Sequence, residues 1–318
     1  MLKITGIKIP AAFGVSALKP EIAALLHIQE AQIRTLRILR RSVDSRKKSN
    51  VHFLYTAAVE LADEEAVLRQ ALPFISVYTA DSYAFPFHGV TAPLPPVVVG
   101  AGPAGLFAAL CLAQAGVRCV LLERGRDVDR RSADVARFWR TGILNERSNV
   151  QFGEGGAGTF SDGKLTTGVH DPRVRFVFET FVRFGAPEDI LYLAKPHIGT
   201  DRLREVVKAM RLHLMEQGCA VRFEHQMTCL ECADGVLTAL RVRGPEKDYI
   251  LPAQNLILAP GNSARDTFAM LEAAGMPLAP KCFSVGVRIE HRQKDVYKRQ
   301  SSHRQNIRLP WSEQESRR

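Results

Sequence analysis

The chain has 318 residues, 46% of them hydrophobic and 24% charged, with a formal net charge of +10. That length admits two domains, and no apolar run approaches the roughly 20 residues that cross a bilayer, so no membrane span is expected. The opening MLKITGIKIP alternates apolar and polar residues and lacks the continuous apolar core of a signal peptide, which predicts a cytoplasmic protein.

Residues 1–90 read as a small α+β domain. LKITGIKI alternates as a strand. In EAQIRTLRILRRSV, Ile33, Leu36, Ile38 and Leu39 fall at helical spacing, which predicts a helix. Arg34 to Lys48 carries seven bases against Asp44 alone. A basic helix is more often a solvated face than an RNA-binding one, so an RNA-associated protein, or a binding protein that uses this helix, stands as the alternative reading. NVHFLYTAAVEL follows as a strand and DEEAVLRQAL as a short helix with acids in its first turn. TAPLPP then marks a link.

After Pro96 the pattern becomes strand, glycine turn, helix, strand. VVV (97–99) is a short run of buried parallel-strand type. Gly100-Ala-Gly102-Pro103-Ala104-Gly105 follows it and opens the helix PAGLFAALCLAQAG, the context that a dinucleotide-binding fingerprint requires. Gly100 permits the tight turn, Gly102 lets a pyrophosphate approach the backbone, and Gly105 lets helix and strand pack closely. The helix amino terminus offers N–H groups and partial positive charge to phosphates. RCVLLE is the second strand and ends in Glu123, placed to accept hydrogen bonds from adenosine ribose hydroxyls. An acid there disfavours a 2′-phosphate. These residues alone do not separate FAD from NAD.

A second G-x-G-x-x-G match, Gly153 to Gly158 in NVQFGEGGAGTFSDGKL, fails the context test. It follows NVQF, a strand candidate, but runs into loop formers rather than a helix. We read it as a cofactor-lining loop, with close backbone approach at its glycines and donors at Thr159, Ser161 and Lys164. DRLREVVKAMRLHLMEQG is a patterned helix with a glycine stop, 220–243 is strand-rich, and NLILAPG is a buried strand.

Six cysteines, at 111, 119, 219, 229, 232 and 282, make no disulfide framework. Cys229 and Cys232 form a CxxC, but within strand-like alternation around an Asp-Gly turn. Redox CxxC pairs usually open a helix, so this one is read as incidental. No metal site is expected. DVYKRQ (295–300) back-translates as a transposon-end adapter, and periodicity is lost after it. Residues 295–318 are therefore read as non-native read-through.

PVVVGAGPAGLFAAL, LLERG, DVARFWRTG, SNVQFGEGGAGTFSDGKLTTG, KPHIGTD, LAPGNSARDTF and FSVGVRIEH together resemble a bacterial family of FAD-dependent dehydrogenases. That family lies within the glutathione-reductase-like flavoprotein superfamily. The resemblance spans most of residues 30–294. It implies an α/β fold, with a Rossmann-like FAD/NAD(P)-binding domain (91–294) that holds an inserted β-rich part and follows the small α+β domain. It implies that Gly100, Gly102, Pro103, Ala104 and Gly105 hold the FAD pyrophosphate and Glu123 the ribose, with Arg124 and Gly125 flanking. Met227 would contact the adenine through its backbone, on the strand after the long helix. Ala259 to Gly261 would match the superfamily's ATG strand. The loop containing Gly155, Gly156, Thr159, Phe160, Ser161 and Lys164 would lie toward the flavin ring.

Relatives continue past the end of this chain, so the resemblance also implies a domain incomplete at its carboxyl terminus. The expected function is an FAD-dependent oxidoreductase acting on a small-molecule substrate or electron carrier, with NAD(P)H as a candidate donor. Lys164 is the candidate for tuning the flavin. His170, His197 and His291 are available acids or bases, and no catalytic base is assigned.

Overall fold

The computed structural model describes residues 1–282 and 292, except 48–49, 81–82, 84, 87–88, 90 and 162. His291 and the segment 295–318 lie outside the described residues. The chain divides into two units, one holding residues 1–81 and 191–194, the other 82–190 and 195–278.

The first unit runs β1 (Leu2–Pro10), α1 (Leu18–Leu26), β2 (Ile33–Asp44), β3 (His52–Leu61), α2 (Glu64–Arg69) and β4 (Ile75–Val77). Its antiparallel sheet has the order β2-β3-β1-β4, the split βαβ arrangement. Leu2, Ile4, Ile7 and Ile9 of β1 pack with Leu18, Ile22 and Leu26 of α1, all essentially inaccessible to water. The sequence expectation of a basic helix from residue 34 is overturned, because Ile33–Asp44 is a strand along β3. Register shifts at Ile33/Thr35 and Ile38/Arg40 explain the misreading. Each bulge adds a residue to one strand, so positions 33, 36, 38 and 41 share a face at intervals that imitate a helical period. Arg41 ends on that face with its guanidinium over Phe53 and Tyr192. Its amide donates to the Tyr192 carbonyl at 2.7 Å and its carbonyl accepts from the Ala194 amide at 2.9 Å.

The second unit contains β5 (Val97–Val99), α3 (Pro103–Gln114), β6 (Val120–Glu123), α4 (Val128–Thr141), α5 (Pro172–Arg183) and α6 (Thr200–Glu216). It continues with β7 (Ala220–Phe223), β8 (Gln226–Ala233), β9 (Val236–Arg243), β10 (Asp248–Pro252), β11 (Leu256–Leu258) and α7 (Arg265–Ala273). A parallel sheet of order β11-β5-β6-β7 forms the centre. Alternation along its strands sends Val98 and Leu121 toward Leu106, Leu110, Met210 and Leu214 of α3 and α6. Val97, Val99, Val120 and Leu122 point the other way, onto Met227, Leu240 and Val242 of the antiparallel β8–β10 sheet. Burial on both faces is why the central strands β5 and β6 read as continuous apolar runs; β11, expected to be a buried strand, lies at the sheet edge with Ile257 exposed. The β-rich insert is thus the third layer, and Cys229 and Cys232 lie in its strand β8 as expected. Among the described residues no helix is long and apolar enough to cross a membrane, and no cluster of potential metal ligands occurs.

Candidate functional site

The carboxyl ends of β5, β6 and β11 open onto a groove of about 350 Å³. The Gly100 amide donates to the Leu122 carbonyl at 2.7 Å, which ties the turn after β5 to β6. Gly100 has φ +103°, and a β-carbon there would collide with the Ala259 carbonyl; one on Gly105 would collide with the Gly100 carbonyl. Both positions therefore exclude any side chain. Gly102 caps α3, with Pro103 as its first residue, where the missing N–H costs nothing.

Glu123 is 5% exposed and works as a hub. One carboxylate oxygen accepts from the amides of Gly125 (2.8 Å) and Gly153 (3.0 Å), and the other from Ala101 (2.8 Å). It joins the glycine turn after β5, its own strand end and the glycine-rich loop. Arg124 donates both terminal nitrogens to the Asp266 carboxylate at 3.0 Å and lies 4.4 Å from the Phe152 ring centre. That pair joins α7 to the groove wall.

The glycine-rich loop folds back on α4 and α6. Arg131 is fully buried and donates to the carbonyls of Asn149 (2.9 Å), Val150 (3.1 Å), Gly153 (3.2 Å) and Glu154 (2.6 Å). Burial lowers its pKa to about 10, against the pull of Glu123 and Glu154, so it stays charged at neutral pH. Glu154, also fully buried, accepts from the Val128 amide at 2.7 Å and from Arg211 Nε at 2.8 Å. Desolvation still pushes the Glu154 pKa up. A carboxyl with a raised folded-state pKa contributes stability that is fully present below its unfolded value and is lost as pH rises through the folded value. Glu154→Gln should therefore flatten the fall in melting temperature as pH rises above the ordinary 4.5 of a glutamate. Calorimetry of both proteins across the acid range checks this.

Of the residues expected at the site, Gly100, Gly102, Pro103, Ala104, Glu123, Arg124, Gly156, Met227, Ala259 and Gly261 line the groove. Met227 lies on β8, one strand later than the β7 that directly follows the long helix α6. Gly105 packs inside the turn, and Gly125 packs on Gly153. Thr159 is buried beneath Gly155, and the Phe160 ring centre lies 4.7 Å from the Arg131 guanidinium and 5.0 Å from that of Arg204. Gly155, Ser161 and Lys164 line a second, apolar cavity of about 190 Å³ beside Phe107, Phe181 and Met210, which shares Pro103 with the groove. Lys164 and His197 pair through their backbones in an isolated antiparallel β-bridge, and both are exposed, as is His170. NVQF is a turn, not a strand. The Asn149 side chain accepts from the Gln151 amide at 2.8 Å and curls the backbone. The sequence reading missed Gln151, Phe152, His225, Asn262, Ser263 and Phe268 on the groove wall, and the buried pair Arg131 and Glu154 behind it.

The sequence profile described as "FAD binding domain" matches residues 94–268, and one for a domain of unknown function matches residues 1–60. A protein of Clostridium beijerinckii described only as uncharacterized is 38% identical over 297 residues, covering 92% of this chain and 55% of its own length. The chain therefore spans about half the length of that relative. Among solved structures, Thermovibrio ammonificans THI4 aligns with TM-score 0.37 and 15% identity, over 57% of this chain and 63% of that one. The flavin-dependent monooxygenase PieE in complex with FAD and substrate aligns with TM-score 0.34 and 20% identity, over 56% and 32%. Likenesses at this level add nothing about activity.

Proposed function

The chain belongs to the FAD binding domain family and its cofactor is FAD; on that premise we propose that it works as an FAD-dependent oxidoreductase of the glutathione-reductase-like superfamily. It would act in the cytoplasm on a small-molecule substrate or electron carrier, with NAD(P)H as donor. The observation that carries this reading is the turn at Gly100–Gly105, which follows a buried parallel strand and aims the amino end of α3 into the groove. The residues fit a dinucleotide. The groove has the size of a small-molecule site, and the first turn of α3 has N–H groups without intrahelical partners at its positive end. Gly102 has an ordinary φ of −74°, and a β-carbon there would meet only the Gly156 α-carbon, at 3.8 Å. The protein does not need glycine there for its own packing, whereas a pyrophosphate drawn to the helix end would need the space.

When bound, FAD supplies the hydride or electron transfer, and the protein supplies placement and electrostatics. The end of α3 would balance the phosphate charge, Glu123 would accept a ribose hydroxyl, and Met227 would bound the adenine. The loop from Gly155 to Lys164 would approach the flavin ring, where the Lys164 ammonium would favour a reduced, anionic ring.

The test is the visible absorption spectrum of the purified chain after incubation with FAD, with the released cofactor identified. A yellow protein releasing FAD, reducible by NADH or NADPH without oxygen, supports the reading. Bound FAD that no nicotinamide or chemical reductant can reduce removes the oxidoreductase assignment. Gly102→Ala should bind FAD at least about tenfold more weakly (~1.4 kcal/mol) with little change in the melting temperature of the FAD-free protein. Equal FAD affinity in that variant would show that phosphates do not meet this turn.

A further inference from the structure

Cys119 and Cys219 lie outside the groove and have no part in the site described above. Each immediately precedes a strand, β6 and β7, whose ladder opens with Val120 opposite Ala220. The two cysteines therefore face each other one step before it, and the Ala220 amide donates to the Cys119 carbonyl at 2.9 Å. Neighbouring strands run about 4.8 Å apart, inside the Cα separation of roughly 4.4–6.8 Å that a disulfide accepts. The thiols already touch, with Cys119 Sγ donating to Cys219 Sγ at 3.5 Å. Arg118 adjoins the pair, its Nε 3.0 Å from where a β-carbon on Gly218 would stand.

We propose that this pair is a modification site, which hydrogen peroxide oxidises to an intramolecular Cys119–Cys219 disulfide. Cys219 is the attacking sulfur. The hydrogen bond from Cys119 lowers its pKa despite burial, and the Arg118 charge adds to this, while the same pairing raises that of Cys119. A thiolate, not a thiol, is the nucleophile. It attacks one peroxide oxygen, the O–O bond breaks, and the departing hydroxide takes a proton to become water. Cys219 is then a sulfenic acid. The Cys119 sulfur attacks it, the S–S bond forms, the S–O bond breaks, and the thiol proton leaves with the hydroxyl as a second water. Two thiols have lost two hydrogens, and one hydrogen peroxide has become two waters.

The bond would close a loop of 100 residues, which restricts the unfolded chain strongly. It would lie at the end of β6 opposite Glu123, so it should stiffen the sheet without reshaping the groove. The test treats the full chain, loaded with FAD, with hydrogen peroxide and maps its peptides without reduction. The expected result is a Cys119–Cys219 linked peptide, a melting temperature raised on the order of 5–10 °C and unchanged FAD content. Cys119→Ser, which keeps an O–H donor toward Cys219, should stop at a sulfenic acid on Cys219 that a trapping reagent labels, and Cys119→Ala, which removes that donor, should be labelled more slowly, with the Arg118 charge left to favour the thiolate. The proposal is overturned if exposed Cys232 oxidises while Cys119 and Cys219 remain alkylatable thiols after unfolding. Absence of the label on Cys219 in Cys119→Ser would overturn it equally.

Discussion

Arg131→Ala is expected to cost the FAD-binding unit about 3–5 kcal/mol, the range for removing one member of a buried, paired set of charges. Four carbonyls of the glycine-rich loop would lose their shared donor, and Glu123 and Glu154 would lose a cation whose charge favours both carboxylates. The Phe160 ring would lose one of its two guanidinium neighbours. Arg131→Lys should fail to rescue, because an ammonium has three rotatable donors and no planar fork to reach four carbonyls. Urea unfolding followed by far-UV circular dichroism measures the cost, and flavin absorbance reports the site. A midpoint shift below about 1 kcal/mol would mean that the loop holds its shape without Arg131.

Glu123→Gln is the second large effect. The present carboxylate accepts from three backbone amides, whereas a glutamine must turn its NH₂ toward at least one of those donors. A buried N–H left without an acceptor costs about 1–3 kcal/mol, and the loss of the charge-assisted bonds adds to it. We expect about 3 kcal/mol in the FAD-free protein. An ionised carboxylate offers about four acceptor positions. With three taken, one remains for a ribose hydroxyl, so Glu123 would orient the cofactor with a single hydrogen bond while holding the walls around it. If Glu123→Gln leaves the FAD-free protein as stable as before and weakens only FAD binding, the hub role is wrong and the residue serves the ligand alone.

The parts of the site legible in the sequence are those where backbone geometry dictates the residue. Gly100 and Gly105 had to be glycine for steric reasons, and the acid ending the second strand follows from the βαβ spacing. What was hidden depends on contacts between distant segments. Arg131 did leave a trace. On α4 the buried positions are Val128, Arg131 and Val135, so a cation sits on a face that periodicity marks as apolar. Glu154 is an acid set among glycines, and its partner Arg211 lies 57 residues away, beyond any local pattern. In the first unit β1, β3 and α2 were legible from alternation and capping. Strand β2 was not, because its two bulges alter the period, and α1 was passed over although Leu18, Ile22 and Leu26 recur at i, i+4 and i+8.

Strand β2 is the last strand on one side of its sheet, and the segment that bonds to it at Arg41 is residues 191–194. During synthesis the first four strands are complete by residue 77, more than a hundred residues before that segment exists. Through that interval β2 offers unpaired amides and carbonyls to any other nascent chain. Cations along an outer strand repel such pairing. Arg34, Arg37 and Arg40 would disfavour such pairing along this strand, a role for the basic stretch that requires no polyanionic partner.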